Sequence, residues 1–298
     1  MVSRYDHSVR IAAFDWLRKV IESRGDVLSW NDLKFGFPFA SDIIHLVSQQ
    51  GIFKPRTLDI PLSIRTSEKG PYDDAFDKKS GLLKYAFRGT DPNHRDNSGL
   101  RQAMLESVPL IYFHAIVPGK YLAAFPVYIV GMSIPENMFT VAVDDFSEIK
   151  TEVTAAEQML PRREYVTRIY QQRLHQKGFR ERVLLAYKQH CAICRLKHVE
   201  LLDAAHIIPD SQPGGEPIVP NGISLCKIHH AAYDNNVLGI SPDYQVSIRK
   251  DILVEIDGPM LKHGLVEMHG TKILLPRNVG LHPDRERLDI RFQEFRTY

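Results

Sequence analysis

Three cysteines constrain this chain more tightly than any other feature. Cys191 and Cys194 form a C-x-x-C pair, and Cys226 opens C-K-I-H, a C-x-x-H pair that closes at His229. Thirty-one residues separate the two pairs, and no cysteine is left over. A tetrahedral structural zinc takes four thiolate or imidazole ligands, commonly as two short-spaced pairs that the fold brings together. Cys191, Cys194, Cys226 and His229 are therefore read as one zinc site, with three unrelated buried thiols as the plainer alternative. A small, loop-rich region poor in apolar residues needs such a staple. Three cysteines in 298 residues do not make a disulfide framework.

Composition frames the rest. The chain is 44% hydrophobic and 25% charged, with 38 basic residues against 36 acidic ones and a net charge of +2. These are globular values, and the length predicts two domains. They exclude a disordered tail protein and a collagen-like repeat. No apolar run approaches the roughly 18 residues of a membrane span. The opening MVSRYDHSVRIAAFDWLRK mixes charges into its apolar residues and lacks a signal-peptide core. A cytoplasmic protein with no membrane partner is expected. The near-zero charge sum neither supports nor excludes nucleic acid, because it hides local patches.

Along the chain, Val9, Ala13, Trp16, Leu17, Val20 and Ile21 recur at helical spacing, and Gly25 is the stop. A second helical pattern covers 42–49 and ends at Gly51, completing a helical lead-in over 1–50. From 53 to 145 the texture is strand-like. The apolar run Leu110–Val117, the break at Pro118-Gly119 and the run 121–130 read as a hairpin. Segments 60–66 and 82–88 and the alternating Phe139, Val141 and Val143 add further strands, predicting a curved sheet or barrel. The linker falls near 146–160, giving domains 1–155 and 156–298. Residues 162–190 read as a helix with eight basic residues against Glu164 and Glu181. A solvated face is the usual meaning of such a run, but its position beside a metal-ligand set makes Arg173, Lys177 and Arg180 candidates for the DNA backbone. Short strands at 245–248 and 272–275 and a terminal helix from Asp284 complete the pass.

Between the zinc pairs lie L-L-D-A-A-H-I-I-P, with Asp203 and His206, and N-G-I-S-L-C-K-I-H-H-A-A-Y-D, with Asn221, His230 and Asp234. The order His206, Asn221, His230 inside a zinc-stapled unit resembles the HNH nuclease motif, the ββα-metal fold. The resemblance covers 165–240, including the lead-in R-L-H-Q-K-G-F-R, and is most like the zinc-containing McrA-type branch. It implies hydrolysis of a phosphodiester, which needs an activated water, a cation on the phosphate oxygens and help for the leaving oxygen. His206 is then the general base, since an imidazole titrates in the right range. Asn221 would hold the His206 backbone or ring by its amide, and His230 would bind one divalent cation, magnesium or manganese. The position directly before His206 is Ala205, so Asp203 is the expected second ligand, with Asp234, one helical turn after His230, as the other candidate.

A second resemblance covers about 80 residues of the strand-rich region. G-I-F-K-P at 51–55, S-I-R-T-S-E-K-G-P-Y-D-D-A-F-D at 63–77, L-L-K-Y at 82–85, D-N-x-x-L-x-x-A at 96–103 and Y-L-A-A-F-P-V-Y-I-V at 121–130 are similar in order and spacing to an SRA domain. That family is a curved, PUA-like β-barrel that flips a modified cytosine out of duplex DNA. A flipped-base pocket needs two flat side chains around the base and a polar group on its Watson–Crick edge. The resemblance matches Tyr72 and Tyr85 to the stacking aromatics, with Asp74 or Asp77 accepting from the cytosine amino group. Core packing is the alternative role for Tyr72, Tyr85, Tyr112 and Phe113.

The two resemblances imply an α+β chain. Its N-terminal PUA/SRA-like barrel has flanking helices, and its C-terminal ββα-metal domain carries structural zinc. The implied function is a modification-dependent, type IV-like restriction endonuclease that flips a methylated or hydroxymethylated cytosine in double-stranded DNA and cuts nearby. Its alternatives are an HNH endonuclease reading another modification or plain sequence, and a non-catalytic zinc-stabilised DNA-binding protein. One HNH site cuts one strand, so double-strand cleavage implies a homodimer.

Overall fold

In the computed structural model, which describes residues 3–66, 82–144, 159–256 and 258–298, the chain divides into two units, Met1–Leu174 and His175–Tyr298. Tyr72, Asp74 and Asp77 lie outside the described residues. In the first unit, α1 (Arg4–Arg24) starts where the Ser3 hydroxyl accepts from the Asp6 amide at 3.1 Å. It ends at Gly25, whose φ of +89° ordinary side chains avoid. The helix buries Val9, Ala13, Phe14 and Leu17, in line with the predicted periodicity. Then come β1 (Val27–Ser29), α2 (Trp30–Phe35) and a hairpin of β2 (Phe37–Phe39) and β3 (Asp42–Ile44). The helix predicted at 42–49 is absent. A pattern two turns long is weak on its own, and Gly36, at φ +71°, lets its backbone approach the Ile44 carbonyl more closely than any side chain allows.

The sheet is completed by β4 (Ile52–Phe53), β5 (Ser63–Arg65), β6 (Leu83–Ala86), β7 (Leu110–Val117), β8 (Lys120–Ser133) and β9 (Met138–Val143), with α3 (Arg95–Leu105) between β6 and β7. Its order is β4-β5-β7-β8-β9-β6, with β1 also on β8; β5 and β7 are parallel and the other pairs antiparallel. The long β8 pairs with β1 through its first residues and with β9 through its last, and register shifts bend it. That bend brings the two ends of the strand order together. The Tyr85 hydroxyl on β6 donates to the Arg65 carbonyl on β5 at 3.3 Å, and Arg88 reaches the Gln50 side chain at 3.0 Å. The result is a curled half-barrel sheet.

The β7 run is apolar and aromatic apart from His114 because both of its faces are covered. Leu110, Tyr112 and Ile116 point into the core inside the curl, together with Val166, Tyr170 and Leu174 of the helix that follows the sheet. Ile111, Phe113 and Ala115 face the α1 side. Arg10, fully buried, pairs with Asp6 and donates to the carbonyls of Ile60, Pro61 and Pro109 at 2.9–3.0 Å. The lead-in over 1–50 is thus packed onto the sheet.

The helix α4 (Met159–Ala186) fulfils most of the basic helix expected at 162–190. Because its first half packs into the sheet core, the units part after Leu174, later than the expected 155/156 boundary. Phe179, Val183, Leu184 and Tyr187 belong to the second core. There follow the antiparallel β10 (Leu202–His206) and β11 (Gly222–Cys226), then α5 (Lys227–Asp234), which make a ββα unit. Beyond it are β12 (Leu238–Ile240), β13 (Val246–Ile248), α6 (Lys250–Leu253), α7 (Pro259–Gly264) and α8 (Arg285–Phe295). The strand expected at 272–275 is a single bridge between Gln245 and Lys272. The terminal helix expected from Asp284 is α8, and Asp284 is its N-cap. Among the described residues no helix is long and apolar enough to cross a membrane.

Candidate active site

The four predicted zinc ligands converge. Cys191 and Cys194 sit in the turn after α4, Cys226 ends β11 and His229 lies in the first turn of α5, and their ligand atoms all lie within 4.8 Å of one another. The Nδ1 of His229 is 3.1 Å from the Cys226 sulfur and 3.5 Å from that of Cys191, and the Cys194 and Cys226 sulfurs are 3.9 Å apart. Zinc bonds of about 2.3 Å to sulfur and about 2.0 Å to nitrogen give tetrahedral edges of roughly 3.5–3.8 Å. The donor set therefore fits a structural zinc. The Nε2 of His229 lies 2.7 Å from the Gly264 carbonyl. A carbonyl only accepts, so Nε2 carries the proton and the Nδ1 lone pair faces the sulfurs. Proton sharing splits the thiols, as hydrogen bonds from neighbouring sulfurs lower the pKa of Cys191 and raise that of Cys194.

His206 closes β10 directly opposite Gly222 in the ladder. Its ring lies flat on Phe179 of α4, with centroids 4.0 Å apart and planes 19° apart. Its Nε2 is buried and has no hydrogen-bond partner among the described residues. Burial lowers the imidazole pKa and the nearby charge of His230 adds to this, while Asp210 and Asp234 oppose it. The net effect is a pKa below the ordinary 6.5 and a neutral ring at pH 7. His206, His230 and Asp234 are therefore near enough to feel one another electrostatically.

His230 projects from α5, with Nε2 3.2 Å from an Asp234 oxygen and Nδ1 3.9 Å from an Asp203 oxygen. Both Asp203 oxygens are engaged. One accepts from the Lys227 ammonium at 2.8 Å; the other lies 3.4 Å from the Arg180 Nε and accepts from the Ala204 amide. Burial is the largest influence on the Asp203 carboxylate and works against it. The hydrogen bonds from Lys227 and the Ala204 amide and the charges of Lys227 and His230 together outweigh burial, so its pKa is lowered. This differs from the expectation that Asp203 ligates the cation. Period-two alternation places residues 203 and 206 on opposite faces of the strand. Asn221, fully buried, accepts from the Ile208 amide at 2.9 Å and donates to the carbonyls of Ile208 at 3.0 Å and Glu216 at 3.1 Å. It clamps the chain just after His206.

Arg180, expected on DNA, spends its guanidinium inside the unit instead. It donates to the carbonyls of Val199 and Leu202 and pairs with Glu181, which fixes the entry to β10. Arg173 is partly exposed, 3.7 Å from an Asp26 oxygen, and Lys177 is half-buried. Tyr85 packs in the sheet core, where burial pushes its hydroxyl pKa well up, and Tyr112 and Phe113 are core residues as well. Sequence reasoning missed Phe179 and Lys227. Nothing in a helical stretch reveals which ring will lie under a strand that begins more than twenty residues later.

Residues 191–241 match the HNH endonuclease family. The second unit thus carries an HNH endonuclease domain, the signature of a metal-dependent DNA endonuclease. Among solved structures, the chain is similar to a modification-dependent restriction endonuclease, TagI, at 15% identity and a TM-score of 0.31, over 93% of this chain and 89% of that one. It is also similar to the type IV phosphorothioation-dependent restriction endonuclease ScoMcrA, at 15% identity and a TM-score of 0.26, over 58% of this chain and 45% of that one. Compared with curated proteins, the sequence finds no match.

Proposed function

We propose that this chain is a type IV-like, modification-dependent restriction endonuclease. The observation that carries the cutting half of the proposal is His206, a neutral imidazole whose buried Nε2 has no partner, beside His230 and Asp234. In this reading His206 takes the proton of the attacking water while its oxygen bonds to phosphorus, and the bond from phosphorus to the leaving sugar oxygen breaks. His230 and Asp234, whose Nε2 and carboxylate oxygen lie 3.2 Å apart, would hold a magnesium or manganese ion. The ion, when bound, offsets the charge that builds on the phosphate. Asp203 faces His230 Nδ1 across 3.9 Å and is itself held by Lys227 and Arg180. Asn221 fixes the backbone beyond His206.

The reading half rests on the sequence resemblance over 51–130. The sheet unit would flip a methylated or hydroxymethylated cytosine, with Tyr72 against the base and Asp74 or Asp77 on its edge. The burial of Tyr85 in the sheet core favours a second reading of this half, in which the nuclease recognises another modification or plain sequence. Double-strand cutting requires two chains on one duplex. To test both halves, plasmids with and without modified cytosine are incubated with the protein and magnesium or manganese. Selective digestion supports the proposal, and equal digestion removes the reader while leaving the nuclease. His206→Ala abolishes cutting, a loss of about a thousandfold or more, and preserves binding. Undiminished cleavage by that variant would overturn the choice of base.

A further inference from the structure

An imidazole general base is ordinarily oriented by a hydrogen bond to its second nitrogen, as a carboxylate or carbonyl provides elsewhere. The buried Nε2 of His206 has no such partner among the described residues, while the ring as a whole is half-buried. What the ring touches is Phe179, buried on α4 and nearly parallel to it at 4.0 Å. The space for this contact comes from a third element. Gly222, opposite His206 in the β10–β11 ladder, faces the same ring, and a Cβ there would come within 2.7 Å of Phe179 and 2.5 Å of Val183. Packed atoms do not approach so closely, so any larger residue at 222 would displace the ring from beneath His206.

The geometry points to Phe179 as the positioning residue of the general base, holding the His206 imidazole by stacking, with Gly222 as the opening through which its ring reaches the strand. This inference rests on the reading of His206 as the base. It adds that the base is aimed by a flat apolar surface and not by a polar partner. The arrangement has a chemical use. An imidazole held by a carboxylate would gain basicity and charge from it, whereas one held by a ring gains neither and leaves the site uncharged.

The stack can be tested without any cleavage. In the folded, zinc-loaded full chain, ring-current shielding moves the His206 ring-proton resonances upfield, and Phe179→Leu returns them toward ordinary histidine positions. His206 protons already at ordinary positions in the unmodified protein would overturn the stack. On modified plasmid, Phe179→Leu lowers kcat about a hundredfold, as a misplaced catalytic group does, with DNA affinity and zinc content unchanged. Phe179→Tyr, which keeps the flat face, restores the rate. Phe179→Leu cutting at the unmodified rate, or Phe179→Tyr failing like Phe179→Leu while retaining zinc, sinks the positioning role. If the unmodified protein cuts no DNA, the reading of His206 as base fails, and the resonance shift still decides whether the stack exists.

Discussion

The curled sheet and the knuckle at 191–241 each hold short, irregular backbone in one conformation, with different forces. In the sheet unit β7 is covered on both faces, and the segments around it are kept by apolar burial and by one interior arginine that satisfies three carbonyls. Between α4 and β10 the knuckle has one short helical turn, Val199–Leu201, and its ends are joined by three sulfurs and an imidazole. The sheet unit can therefore tolerate gradual loosening, whereas the HNH domain has one dominant point of failure.

The largest effect that would break this contrast is metal removal. Chelation, or Cys226→Ser, withdraws coordination on the order of 10 kcal/mol. Hydrogen exchange should then accelerate across 191–234 while the β7 and β8 amides stay protected. An unchanged rate at the Ala192 amide, which donates to the Ser224 carbonyl at 2.7 Å, would contradict it. Next is Arg10→Met, which strands the buried Asp6 carboxylate. Denaturant unfolding of the sheet unit should lose about 3–5 kcal/mol with zinc content unaffected, and a loss below 1 kcal/mol would mean that the arginine is dispensable.

A smaller change follows Asn221→Ala. Three hydrogen bonds at about 1 kcal/mol each are lost, and the loop over 207–216 should exchange faster while the metal stays bound. Protection equal to that of the unmodified chain would show the clamp to be redundant. The mildest prediction sharpens the site's electrostatics. His206 works only when neutral, and its pKa is below 6.5, so cutting should hold up as the pH falls past that value and reach half its plateau on the acid side of it. A midpoint above 6.5 would mean that burial does not govern this ring.

What the sequence made legible was whatever depends on short spacing. The two zinc pairs, the terminal helix from Asp284, the period of α1 and the β7–β8 hairpin each rest on residues within a turn or a strand of one another. What it hid depends on distant packing. The 42–49 stretch carries a helical pattern but is decided by Gly36 against Ile44. Arg180 looks like one more charge on a basic helix, and only the carbonyls of Val199 and Leu202 show it to be structural. Asp203 sits near His206 in sequence yet serves the neighbourhood of His230. The role of Phe179 was invisible for the same reason.

The contact between His229 and the Gly264 carbonyl carries one more consequence. It makes α7 a keeper of tautomeric identity for a ligand thirty-five residues upstream. A version of this protein cut short ahead of α7 would retain every sulfur and the imidazole, but nothing would dictate which nitrogen turns toward the thiolates. The grip on the ion would then depend on α7 as much as on the donors themselves.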